Sequence, residues 1–368
     1  MEKYLSLGPV VIFGSFLFYN IQSPRLSKHT SATIVVLLLL AVFCQAYLGA
    51  ATNVAPGEIT ILLYNGSTTN EYIEYPIESA EQAVNNSAWN SSNPVVLYIH
   101  GINGTVDDES TTTVTDAYLK RGGHNFLALN YSQLARYNGF VYTALEAIVS
   151  NNAVVGDSLA ELIDRFVAAG VPLSRFHFVG YSIGAHVAGR AARNVNGTFP
   201  RITALDPYIH GFYLNDNDDH LWKTDATIVD VIHTNGIVLG VGTSTGTVDF
   251  YPNSGYALQP GCSLTLLHLR RSLVCSSHSA YKYWSESVED PSAFEAIACD
   301  SWTQFEAGEC TGTTDYMGYG YSLNATGNFY LETNSESPYS MREKGIIYDG
   351  SKLNILSAEV LEWLGSLI

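Results

Sequence analysis

A serine hydroxyl attacks a carbonyl at neutral pH only when a base takes its proton and a carboxylate orients that base. Ser182 is placed for such chemistry. It sits in Gly180-Tyr-Ser-Ile-Gly184, between an apolar strand-like stretch, Phe176–Val179, and an Ala- and Val-rich helical stretch, Ile183–Asn194. A turn this sharp excludes a Cβ at its flanking positions and pushes the serine into a strained, exposed conformation. The helix start then offers free N–H groups and a positive dipole end to an oxyanion formed beside Ser182. In a chain with 31 glycines the pentapeptide alone is weak; its strand-before, helix-after context strengthens it.

In this arrangement the acid and then the base follow the serine along the chain. Asp206, in Ala204-Leu-Asp-Pro207, ends a short apolar strand and is the favoured acid over Asp225, Asp230 and Asp249. For the base, His186 packs on the helix, His210 and His220 fall in a polar loop, and His268 lies between two cysteines. His278, in Cys275-Ser-Ser-His-Ser-Ala-Tyr-Lys-Tyr283, and His233, at a strand end, are the two contenders. The oxyanion would be held by the backbone N–H groups of Ile183 and of Ile102, after Gly101. His100 reads as a residue that holds this loop in place.

These residues need a sheet to carry them. Glu58–Tyr64, Pro94–Gly101, Asn125–Asn130, Ile202–Leu205 and Thr227–His233 read as strands, several apolar throughout, as expected when both sheet faces are buried. Residues 66–93 and Ile102–Thr115 read as loops. Residues 141–155 read as helical. Ser158–Gly170 reads as a separate helix, with a capping box (Ser158, Glu161) and an apolar stripe of Leu159, Leu162, Ile163, Phe166 and Val167. Strands alternating with helices predict an α/β fold: a mostly parallel sheet covered on both faces, its site at the strand C-terminal edge.

The chain has 368 residues, a formal charge of −17 and 46% hydrophobic residues. That composition supports a full core and argues against nucleic-acid binding. A basic flank (Arg25, Lys28, His29), the apolar run Ala32–Phe43 and small residues at Ala46–Ala51 match a secretory signal, with a retained signal anchor as the alternative. Residues 1–50 are thus read as leader and 51–368 as a single domain. Beyond Cys44, four cysteines remain, an even number that fits an oxidising compartment. Seven Asn-x-Ser/Thr triplets, beginning at Asn65, Asn85, Asn90, Asn103, Asn130, Asn196 and Asn324, fit a glycoprotein.

Taken together, Tyr98–Gly101, Gly180–His186, Ile202–Pro207, Val229–Thr234, Val248–Asn253, Gln259–Cys262, Cys275–His278 and Phe329–Asn334 resemble, in order, the pancreatic lipase family of secreted α/β-hydrolases. The resemblance implies Ser182 as nucleophile, Asp206 as acid and His278 as base, with disulfides Cys262–Cys275 and Cys299–Cys310. It implies hydrolysis of lipid esters, phospholipid or triacylglycerol, at a membrane or lipoprotein surface. The family's lid would fall on Ser263–Val274, short as in its phospholipase A1 branch. Leu266 and Leu267 would dip into lipid while Arg270 and Arg271 meet phosphate. The loop between Asp206 and Asp230 is not shortened, which favours the triacylglycerol branch instead. At the family's calcium region, Asn217–Asp225, Trp222 stands where a polar or acidic residue is usual, so no metal or other cofactor is expected. With no C-terminal β-sandwich expected, neither is colipase. The alternative reading is a catalytically silent, yolk-type lipid-binding protein of the same fold.

Overall fold

A computed structural model describes residues 59–136, 141–213, 219–262 and 269–350; the side chains of 141–147 and 269–273 lie outside that description. These residues build one eleven-stranded sheet in the order β10-β9-β11-β8-β7-β6-β5-β3-β4-β1-β2. The strands are β1 (Thr60–Tyr64), β2 (Tyr72–Pro76), β3 (Val95–Ile99), β4 (Asn125–Asn130), β5 (Phe176–Tyr181), β6 (Arg201–Leu205), β7 (Ile228–Ile232), β8 (Val248–Pro252), β9 (Glu295–Ala298), β10 (Thr314–Tyr316) and β11 (Gly327–Leu331). The central run from β4 through β3, β5, β6, β7 and β8 to β11 is parallel. Antiparallel strands flank it at both ends. The α/β reading of the sequence is the fold observed.

Among the described residues five helices cover the sheet: α1 (Glu109–Arg121), α2 (Val141–Ala168), α3 (Ile183–Asn194), α4 (Leu269–Glu289) and α5 (Trp302–Glu306). The strand runs show why they read as apolar throughout. In β3, Val95, Leu97 and Ile99 enter one core with Leu159, Ile163 and Phe166 of α2 and Val187 of α3. Val96 and Tyr98 point the other way, into a second core with Val114 and Tyr118 of α1 and Tyr281 and Trp284 of α4. Each fully buried large side chain contributes about 1.5–3 kcal/mol relative to exposure. The two cores therefore hold α2 and α3 on one face and α1 and α4 on the other.

Four expectations are corrected. The segment 66–93 holds β2 and a 3₁₀ turn, Ile77–Asn85, and the loop after β3 runs directly into α1. Asp108 caps α1 by accepting from the Thr111 N–H at 2.9 Å. Ser158 is no cap: α2 runs through it, and its hydroxyl donates back to the Val154 carbonyl at 2.9 Å. Val167 is exposed, outside the apolar stripe.

Candidate active site

β3 and β5 are neighbours in the sheet, and the chain leaves both toward the same edge. Ser182 follows β5 directly, with φ 55° and ψ −117°, before α3 begins at Ile183. A left-handed serine costs about 1–3 kcal/mol and persists only where its surroundings fix it. Here its N–H donates to the Leu205 carbonyl at 2.9 Å, and its carbonyl accepts from Ala185 and Tyr208. The flanking glycines are steric necessities. A Cβ on Gly180 would lie 2.5 Å from the Gly184 carbonyl oxygen; one on Gly184 would lie 2.2 Å from that of Ile99. A Cβ on Gly101 would meet the Ser182 Cβ at 3.1 Å, so the loop after β3 runs against the serine. The Ile102 and Ile183 N–H groups donate to no acceptor among the described residues, as oxyanion donors require.

Asp206 follows β6, itself left-handed at φ 50° and 1% exposed. Its Oδ1 accepts from the Thr234 and Asn235 N–H groups at 3.2 and 2.9 Å, while Oδ2 has no hydrogen-bond partner. Burial raises this carboxyl above the usual carboxylate range; the Ser277 hydroxyl beside it and the two N–H groups pull it back down. Gly240 closes in on the same carboxylate, since a Cβ there would lie 2.2 Å from Oδ1.

The expected contact between Asp206 and His278 is not formed. Helix α4 begins at Leu269, so both Ser277 and His278 lie well inside it. Consecutive helical residues point about 100° apart. Register therefore turns Ser277 toward Asp206 and His278 away. The Tyr181 hydroxyl donates to Ser277 Oγ at 3.1 Å. His278 packs its ring on Tyr281 and Tyr181, at centroid distances of 5.3 and 6.5 Å. Burial lowers its pKa; Glu109 and Asp108 raise it and Lys282 lowers it, while Asp206 has no part. Residue type pointed to the histidine. Only the helix's register, which needs its start to be known, reveals Ser277.

The other imidazoles are tied into the frame. His233 joins Asp249 and the Val241 carbonyl, each at 2.8 Å, stacked on Tyr251. His186 meets the Tyr208 carbonyl at 2.8 Å; His210 meets that of Val238 at 2.7 Å and His220 that of Leu221 at 2.9 Å. His100 Nδ1 lies 3.0 Å from the Gly101 carbonyl, its ring stacked on Tyr131. Asp230 pairs with Arg201 at 2.8 Å. Ser263–His268, with Leu266 and Leu267, lie outside the described residues, as do the side chains of Arg270 and Arg271. Both disulfides, Cys262–Cys275 and Cys299–Cys310, are formed.

Among the described residues of the calcium region, Asp219–Asp225, the carboxylates are paired with arginines. Both Asp225 oxygens lie 2.9 Å from Arg193 Nη1, and Oδ2 also accepts from the Trp222 N–H at 2.8 Å. Burial pushes this carboxyl up to about 6, against the pull of Trp222 and Arg193. Asp219 is held by Arg190 at 2.8 Å. Among the described residues no group of three or more His, Cys, Asp or Glu is placed to bind a metal ion.

A parallel sheet wrapped by helices, with a left-handed serine between a central strand and its helix, defines an α/β-hydrolase fold. The chain belongs to the Lipase family, whose profile matches residues 44–339. It is 28% identical over 310 residues to pancreatic triacylglycerol lipase of Cavia porcellus, covering 77% of this chain and 65% of that one. It is 30% identical over 267 residues to phospholipase A1 of Vespa crabro, covering 69% and 85%. Lipase member H of Danio rerio is 29% identical over 277 residues, covering 71% and 60%. The chain thus spans slightly less than two thirds of the triacylglycerol lipases that it matches.

Proposed function

We propose that this protein hydrolyses acyl esters of lipids outside the cell, through an acyl-enzyme on Ser182. The observation that carries this reading is the left-handed Ser182 at the head of α3, with the loop after β3 packed against it. Ser182 Oγ attacks the ester carbonyl as its proton passes to solvent water, and the tetrahedral species then expels the alcohol, protonated by solvent, to leave the acyl-enzyme. The developing oxyanion sits against the Ile102 and Ile183 N–H groups, and Asp206 supplies buried negative charge beside the site. Water then releases the fatty acid. Membership of the Lipase family and two disulfides support lipid esters as substrates and an oxidising surrounding.

The substrate in this reading is a glycerolipid ester, phospholipid at sn-1 or triacylglycerol. Purified protein is incubated with phosphatidylcholine vesicles and with triacylglycerol emulsion, and fatty-acid release is scored by sn position. Release from either, abolished by Ser182→Ala at unchanged melting temperature, is the expected result. Release that survives Ser182→Ala refutes the mechanism. One observation speaks for a second reading, lipid-ester binding without turnover: Asp206 Oδ2 meets no imidazole. In that case vesicles bind and no fatty acid is freed.

A further inference from the structure

The acid has a free oxygen, and the residue turned toward it is a serine. Ser277 is 4% exposed and close enough to draw down the Asp206 carboxyl, yet it makes no hydrogen bond to Oδ2. A hydroxyl cannot take the Ser182 proton at neutral pH; an imidazole at the same place can, with its second nitrogen on the acid. Among the described residues no imidazole hydrogen-bonds to Asp206 or to Ser182. His278 instead packs its ring against Tyr181 and Tyr281.

We propose that position 277 is the base position of this site, and that the serine there holds the hydrolase to slow turnover. This inference rests on the reading of Ser182 as nucleophile. Its residual rate comes from the oxyanion donors and from binding, the part of catalysis that survives loss of one relay member. With an imidazole at 277 the step balances without any other reagent. One ring nitrogen takes the Ser182 proton as the Oγ–carbon bond forms and the carbonyl electrons move to oxygen. The other N–H donates to Asp206 Oδ2. Collapse of the tetrahedral species expels the alcohol, which leaves with that proton, and water repeats the sequence to free the acid.

The full-length protein is assayed on p-nitrophenyl butyrate, a soluble ester that needs no lipid surface. Ser277→His is expected to raise kcat/KM by about 100-fold or more, the scale of general-base catalysis. The rate should gain a rising limb near pH 6–7, where an imidazole loses its proton. Because a ring at this buried position can also unfold the helix, a second arm uses Ser277→Gly with added free imidazole. The rate should climb with imidazole concentration, more steeply as the pH rises through 7. No gain in both arms overturns the assignment, as does a 100-fold loss of wild-type turnover on His278→Ala. Ser182→Ala in the Ser277→His background separates the two claims: activity that persists there refutes the nucleophile and leaves position 277 aside.

Discussion

His186 should make the fold's stability fall with acid in a way that one substitution removes. The side chain is fully buried on α3, stacked on Phe212 at a centroid distance of 3.8 Å. Its Nε2 faces the Tyr208 carbonyl at 2.8 Å and must donate; its Nδ1 accepts from the Leu221 N–H at 3.1 Å and must carry no proton. Protonation would set two donors against each other and leave a charge in apolar surroundings near Arg193 and His220. Burial accordingly pushes its pKa down to about 3, from the ordinary 6.5; the Tyr208 carbonyl opposes this, and His220 and Arg193 add to it. The unfolded chain then binds the extra proton between those values and the folded chain does not. Stability is fully present above pH 6.5 and is lost as pH falls toward 3, by up to about 1.4 kcal/mol per unit. His186→Gln cannot take up that proton. In urea denaturation with the disulfides intact, the margin of wild type over His186→Gln should narrow by about 3 kcal/mol between pH 6.5 and about pH 4. Differencing the two proteins cancels the other titrating groups. A margin that stays level across this range would refute the neutral, buried tautomer.

Gly184→Ala places a Cβ 2.2 Å from the Ile99 carbonyl oxygen, so the head of α3 must move by about 1 Å; the expected cost is about 1–3 kcal/mol in thermal unfolding. The same shift should lower ester turnover by about 100-fold, beyond what the stability loss explains. Arg201→Ala strips the partner from Asp230, which is fully buried and bound at 2.8 Å, and should destabilise by about 3–5 kcal/mol in the same denaturation assay. Chelation with EDTA should leave the melting temperature and ester turnover unchanged, since Arg193 and Arg190 already satisfy Asp225 and Asp219.

What the sequence made legible was whatever rests on local pattern. Pro94–Gly101 and Asn125–Asn130 announced strands because both of their faces are buried, and the glycines around Ser182 announced the turn because nothing larger fits. Helix α1 stayed hidden because Glu-Ser-Thr-Thr-Thr-Val-Thr is rich in β-branched residues with weak helix preference; tertiary packing of Val114 and Tyr118 forms it. Ser158 looked like a helix start because serine followed by Glu161 is a capping pattern, yet the same hydroxyl serves equally inside a helix. The contact expected between His278 and Asp206 is absent for a different reason. Composition singles out a histidine, whereas contact with Asp206 depends on angle around a helix whose beginning lies at Leu269. A displacement of one residue is invisible to a reading by type and decisive in three dimensions.

The rotation between neighbours on α4 also bears on descent. Removing one residue after Cys275 and adding one after His278 would swing the existing histidine to the acid while leaving every core contact beyond Tyr281 in phase. Paired short indels of this kind would thus change which side chain the acid meets, with Ser182 and Asp206 unaltered. An inventory of residue types alone would not register the change.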